Sequence, residues 1–184
     1  MSALLVNLFG GPGTGKSTTA GGLFLLLKLH GIKCELVLEF AKDLVREDRQ
    51  LALQQQYYIW AKQLFRIERC INQVDVVITD SPILLSVLYD NGPIKSLSDA
   101  VWDSHNNFNN INILLNRVKP YVQDGRYQNE LEANALDSDI KRILNDGNQS
   151  YNTYVGDETA INEITKIITD LSMIPLKYKI TGEL

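Results

Sequence analysis

Cross-linking chemistry is nearly missing from this sequence. Only two cysteines, Cys34 and Cys70, occur in 184 residues; they form no CxxC pair, and only two histidines accompany them. This excludes a disulfide-stapled scaffold and a Cys/His zinc module, and fits two reduced core thiols in a reducing cytoplasm. A chain of this length can bury about 70% of the surface its unfolded form exposes, so it needs no staples. Long apolar runs are missing too. None reaches the roughly 18 residues of a transmembrane helix, and the most apolar helix candidate, Leu23 to Leu29, reads as a core helix. The N-terminus runs from Met1 into an apolar stretch ending at Asn7 with no basic segment and no cleavage site, so no secretory signal is expected. Positive charge is not in surplus: 18 Lys and Arg stand against 22 Asp and Glu, a net charge of −4. The surface as a whole therefore does not attract a polyanion such as duplex DNA, which leaves that task to a local patch. Repeats, low-complexity tracts and linkers are absent as well, and a single domain over residues 1–184 is expected, as a monomer or homodimer.

What is present is an alternation of strand and helix patterns. Residues 3–9, ALLVNLF, read as a strand buried on both faces, closed by Gly10 and Gly11. A helix follows over Ser17 to His30, with Gly31 at the position of a C-terminal glycine cap. Lys33 to Phe40 reads as a second strand that ends at Glu39. From Asp48 to Asn72 the pattern predicts one long helix with an apolar stripe of Tyr57, Trp60, Ala61, Leu64, Ile67 and Ile71. Val74 to Thr79 is the clearest strand and stops at Asp80-Ser81-Pro82, a turn into another helix that Asn91-Gly92-Pro93 breaks. A helix from Leu97 to about Asn107, a strand Ile111 to Leu115, a lid at about 117–128, a helix from about Asn129 to Leu144, a strand Tyr151 to Val155 and a last helix Asp157 to Leu171 complete the series. This order predicts an α/β fold: a three-layer α/β/α sandwich around a five-stranded parallel sheet.

The segment Gly10-Gly11-Pro12-Gly13-Thr14-Gly15-Lys16-Ser17 matches GxxxxGK[ST] at every fixed position and lies between a predicted strand and a predicted helix, which is the context of the P-loop of nucleoside triphosphatases. Its glycines allow backbone N–H groups to turn inward around a phosphate, and the positive end of the following helix faces the same spot. Gly11, Gly13, Thr14, Gly15, Lys16, Ser17 and Thr18 are thus the expected nucleotide-binding residues. Lys16 would track charge on the β- and γ-phosphates, and the Ser17 hydroxyl would hold Mg²⁺.

Ligands of open parallel sheets sit beyond the carboxyl ends of the strands, which gives Asp80 and Glu39 particular weight. Asp80 would orient the water shell of Mg²⁺ or accept a proton from an attacking hydroxyl, and Glu39 would fill whichever role Asp80 does not. A helix N-cap for Asp80 and a solvated strand end for Glu39 are the plain alternatives. In the 117–127 segment Arg117, Lys119 and Arg126 face only Asp124, an arrangement resembling an anion clamp; Arg126 also has Glu130 within helical pairing distance. On the long helix Gln56, Gln63 and Arg66 are expected to share the face opposite the apolar stripe, where amides suit reading a base or sugar. Trp102 and His105 read as packing residues.

GGPGTGKST, a Glu-terminated second strand and VVITDSP together resemble the P-loop kinases of nucleosides and nucleotides, in particular the ribosylnicotinamide-kinase-like and thymidylate-kinase-like branches. The runs LVLEFAKDLV, QQYYIWAKQLFR, VDVVITDSPILLSVLY and RVKPYVQDGRYQNELEA are similar to those of small P-loop proteins of tailed bacteriophages. The resemblance implies ATP as phosphoryl donor, a Walker-B-like role for Asp80, an acceptor pocket near Glu39 and the long helix, and lid arginines at Arg117 and Arg126. It also implies candidate acceptors: hydroxymethylated pyrimidines already in DNA, or free nucleoside monophosphates. The Arg-rich signature of nucleoside monophosphate kinases is not found just after the DSP turn, which weighs against the second.

The expected activity is Mg-ATP-dependent phosphoryl transfer to a nucleoside, nucleotide or nucleotide-like acceptor in the cytoplasm, that of a host if the chain is viral. Phosphoryl transfer asks mainly for positioning and charge neutralisation. Two alternatives use the same loop: an NTP-hydrolysing switch and a nucleotide-binding regulator without turnover. A ring ATPase of the AAA type would need a further helical domain with a sensor arginine, for which the length leaves no room.

Overall fold

The computed structural model describes residues 3–90, 92, 94, 96–117 and 130–172. Five strands, β1 (Leu4–Phe9), β2 (Cys34–Val37), β3 (Val76–Thr79), β4 (Asn109–Asn116) and β5 (Tyr151–Val155), form one sheet in the order β2-β3-β1-β4-β5. All four pairings are parallel, with Asn7 opposite Thr79 on one side and Asn112 on the other. That register brings the carboxyl ends of the strands to one edge of the sheet. The expected five-stranded parallel α/β core is the observed one.

Between the strands run the helices α1 (Lys16–Leu29), α2 (Phe40–Arg46), α3 (Gln50–Leu53), α4 (Gln56–Ile71), α5 (Ser86–Tyr89), α6 (Leu97–Asn106), α7 (Glu130–Asp146) and α8 (Glu158–Ser172), with a 3₁₀ turn over Ile83–Leu85. Alternation along β1 sorts its side chains between two layers. Leu4, Val6 and Leu8 join Leu23 and Leu27 of α1 and Ile164 and Ile168 of α8. Leu5 and Phe9 face the other way. Leu5 packs with Val77 and Ile67 of α4, whereas Phe9 packs with Val101 of α6 and Ile140 and Leu144 of α7. Asn7 sits between those two clusters, fully buried, and its amide donates to Asn110 Oδ1 at 2.9 Å and Asn112 Oδ1 at 3.1 Å. A polar seam thus crosses the centre of an otherwise apolar sheet face.

Helix ends follow local chemistry. After α1, Gly31 has φ +75°, and the N–H groups of Gly31 and Ile32 return to the carbonyls of Lys28 and Leu27. This is the paired 5→2 and 6→1 closure that a left-handed residue permits, and Gly31 is the cap expected there. The same closure recurs after α2, with Asp48 (φ +52°) in the left-handed position and Arg49 bonded to the Leu44 carbonyl. Asp tolerates that conformation better than most side-chain-bearing residues.

The stretch between Phe40 and Asn72 departs from expectation. The second strand ends at Val37 rather than near Phe40, and α2 starts at once, burying Phe40 and Leu44. Two buried positions four apart were its only helical signal, hidden because LVLEF also reads as an extended run. The single long helix is instead α3 and α4, separated where Gln55 is extended (φ −98°, ψ 89°). The buried face of α4 is also displaced: Gln56, Gln63 and Ile67 are buried, while Tyr57 and Ala61 of the expected stripe are exposed. Gln56 and Gln63 therefore lie on the inner face with Trp60 and Ile67, not opposite it, because the 56-60-63-67 spacing follows the helical period as well as the apolar one does. The expected lid, with Lys119 and Arg126, lies outside the described residues apart from Arg117. Among the described residues no helix is long and apolar enough to cross a membrane.

Both cysteines are free thiols. Cys34 is fully buried, and burial pushes its pKa up to about 11; Cys70, half-buried, is raised in the same direction for the same reason. Thiolate is the reactive form. A chromogenic disulfide reagent should therefore release one equivalent slowly from the native protein, with Cys70 identified by peptide mapping, and the second only after unfolding. Two rapid equivalents from folded protein would contradict this core.

Candidate active site

The P-loop leaves the centre of the sheet at Phe9 and enters α1 at Lys16. Gly15 precedes the helix in the left-handed conformation, φ +90°, ψ 8°, which turns the chain so that the first helical N–H groups face the cleft. Only glycine takes this shape without strain. Close approach from β5 demands a second glycine that sequence reasoning missed: a Cβ on Gly156 would run into the Thr14 carbonyl. Thr14 is buried, and its hydroxyl donates to the Gly11 carbonyl at 3.0 Å, so its side chain braces the loop from within.

Other loop residues are held from α7. Asp137 accepts the Gly11 N–H at 2.6 Å and pairs with Arg117 at 3.0 Å. The Arg117 guanidinium also donates to the Pro12 carbonyl (3.2 Å) and to Asn134 Oδ1 (2.7 Å). Arg117, expected as a lid arginine, is thus built into the flank of the P-loop, and the Gly11 N–H, expected in the phosphate nest, is directed to Asp137. Gly13, Ser17 and Thr18 remain exposed to the cleft side of the loop, which Gly15 and Lys16 also line.

Lys16 reaches back along its own loop, donating to the carbonyls of Gly10 at 2.6 Å and Gly11 at 2.9 Å. Burial lowers its pKa from 10.5 to about 8, against the opposing pull of Glu39 and Asp80. At the end of β3, Asp80 is 2% exposed and is satisfied on both oxygens: Ser17 Oγ donates to Oδ2 at 2.5 Å, and the Glu39 N–H donates to Oδ1 at 3.0 Å. The helix N-cap alternative for Asp80 does not describe this geometry, because its partners come from α1 and from the residue before α2.

Lys42 completes the centre and was not singled out from sequence. Its Nζ donates to Ser17 Oγ at 3.1 Å and lies 3.5 Å from Glu39 Oε2 and 3.8 Å from Asp80 Oδ2. The i, i+3 relation of Glu39 and Lys42 would have pointed to it had α2 been recognised. Oxygens of Ser17, Asp80 and Glu39 therefore already converge on a cation. Such an all-oxygen set with two carboxylates fits Mg²⁺, which keeps several waters and takes its remaining ligands from phosphates. Among the described residues no group of three or more His, Cys, Asp or Glu is placed to hold a metal ion, and hard oxygen donors such as these suit Mg²⁺ or Mn²⁺.

Beyond this centre a cleft of about 950 Å³ runs along α2, α3 and α4. Its far wall mixes Leu53, Ile59, Ile83 and Leu85 with Gln54, Gln56, Ser86 and Tyr89. Gln56 donates to Ser86 Oγ at 3.1 Å. Gln63 lines the inner wall but is committed on both ends of its amide, accepting the Phe40 N–H at 3.0 Å and donating to Thr79 Oγ1 at 3.3 Å. Arg66 is not among the lining residues. It pairs with Asp43 at 2.6 Å, donates to the Leu38 carbonyl and lies 4.9 Å over the Phe40 ring. Gln63 and Arg66 thus fix the start of α2, and with it Glu39 and Lys42. Tyr89 faces the same space, and its pKa is pushed up to about 12, by desolvation first and Glu39 second, so its phenol stays a neutral donor.

Residues 5–158 match a family described as "AAA domain". The chain belongs to that family. Its fold is similar to that of a NadR protein solved in complex with NR, at 13% identity and a TM-score of 0.68 over 96% of this chain. The match covers 53% of that chain, so this AAA-domain protein spans about half the length of NadR. It is also similar to thymidylate kinase from Ehrlichia chaffeensis, at 14% identity and a TM-score of 0.60 over 91% of this chain and 99% of that one. No curated protein matches significantly. Together these matches show a P-loop domain with the fold shared by that NadR protein and thymidylate kinase.

Two outcomes follow from the site. Replacing Gln63 by Leu removes the partner of a buried first-turn N–H and should cost about 1–3 kcal/mol in urea unfolding, whereas an unchanged midpoint would show that α2 is anchored otherwise. Triphosphate binding favours the charged form of Lys16, so the complex should take up close to one proton at about pH 9 and almost none at about pH 6.5. Calorimetry in buffers of different ionisation enthalpy measures this; no buffer dependence at pH 9 would contradict it.

Proposed function

We propose that this protein is a Mg-ATP-dependent phosphotransferase that moves the γ-phosphoryl group to a nucleoside, nucleotide or nucleotide-like acceptor. The observation that carries the reading is the convergence of Ser17, Asp80 and Glu39 on one cation at the mouth of a cleft that continues past the P-loop. In this reading the exposed N–H groups of the loop and Lys16 hold the β- and γ-phosphates, and Ser17 and Asp80 hold Mg²⁺, which supplies charge neutralisation and orientation when bound. Glu39, one-third exposed on the cleft side, accepts the proton of the acceptor hydroxyl. Arg126, which lies outside the described residues, would complete the charge balance.

The far wall supports a nucleoside-type acceptor: apolar side chains suit the face of a base, and the amides of Gln54 and Gln56 and the Tyr89 phenol suit its polar edge. Arg46 lines this wall as well. A hydroxymethylated pyrimidine in phage DNA is one acceptor of this class. A second reading, nucleotide hydrolysis coupled to conformational change, draws support from the family description.

Incubation with ATP, Mg²⁺ and a panel of nucleosides, nucleoside monophosphates and hydroxymethylated DNA separates the two. Transfer to one acceptor class is expected, falling by about 100-fold or more in Lys16→Ala and in Asp80→Asn with the circular dichroism spectrum unchanged. Acceptor-independent phosphate release would favour hydrolysis. Near-normal transfer in both variants would contradict the assigned roles.

A further inference from the structure

Lys42 holds a position that the proposed function gives to another ion. Its ammonium lies 3.1 Å from Ser17 Oγ, 3.5 Å from Glu39 Oε2 and 3.8 Å from Asp80 Oδ2. These oxygens come from three separate elements, and the ammonium is the charge they share. Lys16 does not compete for the place, because its own ammonium is bonded to the carbonyls of Gly10 and Gly11. Asp80 is 2% exposed, and a carboxylate that deep is costly unless a cation compensates it.

We infer that Lys42 is the displaceable counter-ion of the metal site: its ammonium compensates Asp80 and Glu39 in the metal-free protein, and a divalent cation must expel it to reach Ser17 and Asp80. The inference rests on the proposed assignment of those two residues to Mg²⁺. Two cations within about 4 Å repel, so ammonium and metal exclude each other from one ring of oxygens. Expulsion is feasible because the Lys42 side chain is 51% exposed and sits on a flexible four-carbon stem. A rigid guanidinium in the same place would be harder to move. Bare Mg²⁺, already reluctant to shed water, then binds poorly, and the metal enters with the triphosphate, whose negative charge gives the released Lys42 a new partner. Metal occupancy is thereby tied to nucleotide occupancy.

An ordinary surface pair with Glu39 would leave metal affinity largely untouched, and that difference is measurable without any turnover. Mn²⁺ is titrated into the full chain with no nucleotide and followed by electron paramagnetic resonance, for wild type, Lys42→Met and Arg46→Met; Arg46 lines the same cleft but pairs with neither carboxylate. Thermal unfolding confirms that each variant is folded. The expected result is tightening of Mn²⁺ binding by about tenfold or more in Lys42→Met and less than about twofold in Arg46→Met. Unchanged or weaker binding in Lys42→Met overturns the inference, and so does equal tightening in both variants, which would reflect only the general field of the cleft. A parallel titration with Mn-ATP separates the two levels. If wild type binds Mn-ATP and Lys42→Met leaves free-metal affinity unchanged, the counter-ion inference alone fails. If neither metal nor metal-nucleotide binds to folded wild type, the proposed function fails with it.

Discussion

The Asp80 carboxylate, almost wholly removed from water at the end of a central strand, sets the terms for everything around it. One oxygen takes the Ser17 hydroxyl and so ties the start of α1 to β3; the other takes the Glu39 N–H and so ties the start of α2 to the same strand. A buried anion is tolerable only where donors and a cation surround it. Here the donors come from the P-loop helix and from α2, and the compensating positive charge comes from Lys42, with Lys16 close by. The requirement to satisfy one carboxylate therefore assembles the P-loop and the α2 side of the cleft into one unit.

Support for that unit reaches well behind it. Gln63 bridges Phe40 and Thr79, Arg66 clamps α2 through Asp43, and Asp137 with Arg117 fixes the outer turn of the P-loop. None of these four needs to touch a ligand to matter, because the proposed phosphoryl transfer would depend on holding charges in place rather than on covalent chemistry. The sheet supplies the frame: parallel pairing sets Val37 beside Thr79 and Phe9 beside Leu114 toward one edge, Glu39 and Asp80 follow just beyond it, and Lys16 and Lys42 stand in the first turns of α1 and α2.

Much of this was legible in the residues. Strict strand–helix alternation, the filled GxxxxGK[ST] pattern and the Asp80-Ser81-Pro82 stop specify the sheet, the loop and the buried acid, and Tyr151–Val155 was bounded correctly. Local pattern failed where two periods overlap. LVLEF satisfies a strand and also begins a helix with buried Phe40 and Leu44, so α2 was missed and Lys42 with it. In α4 the amides of Gln56 and Gln63 were assigned to the outer face because polarity was taken as exposure. They are buried because each finds partners that only the tertiary fold brings near, Ser86 for one and Phe40 and Thr79 for the other. Arg117, Asp137 and Gly156 illustrate the same limit, since their contacts with the P-loop span more than a hundred residues of chain.

The central claim is that the loop between β1 and α1 closes around a triphosphate whose charge is shared with a metal ion held at Ser17 and Asp80. Equilibrium dialysis of the folded chain with radiolabelled ATP, with and without Mg²⁺, tests it most directly. One site per chain is expected, tightened about tenfold or more by the metal. Absence of saturable uptake by folded protein, or uptake indifferent to Mg²⁺, would contradict the account.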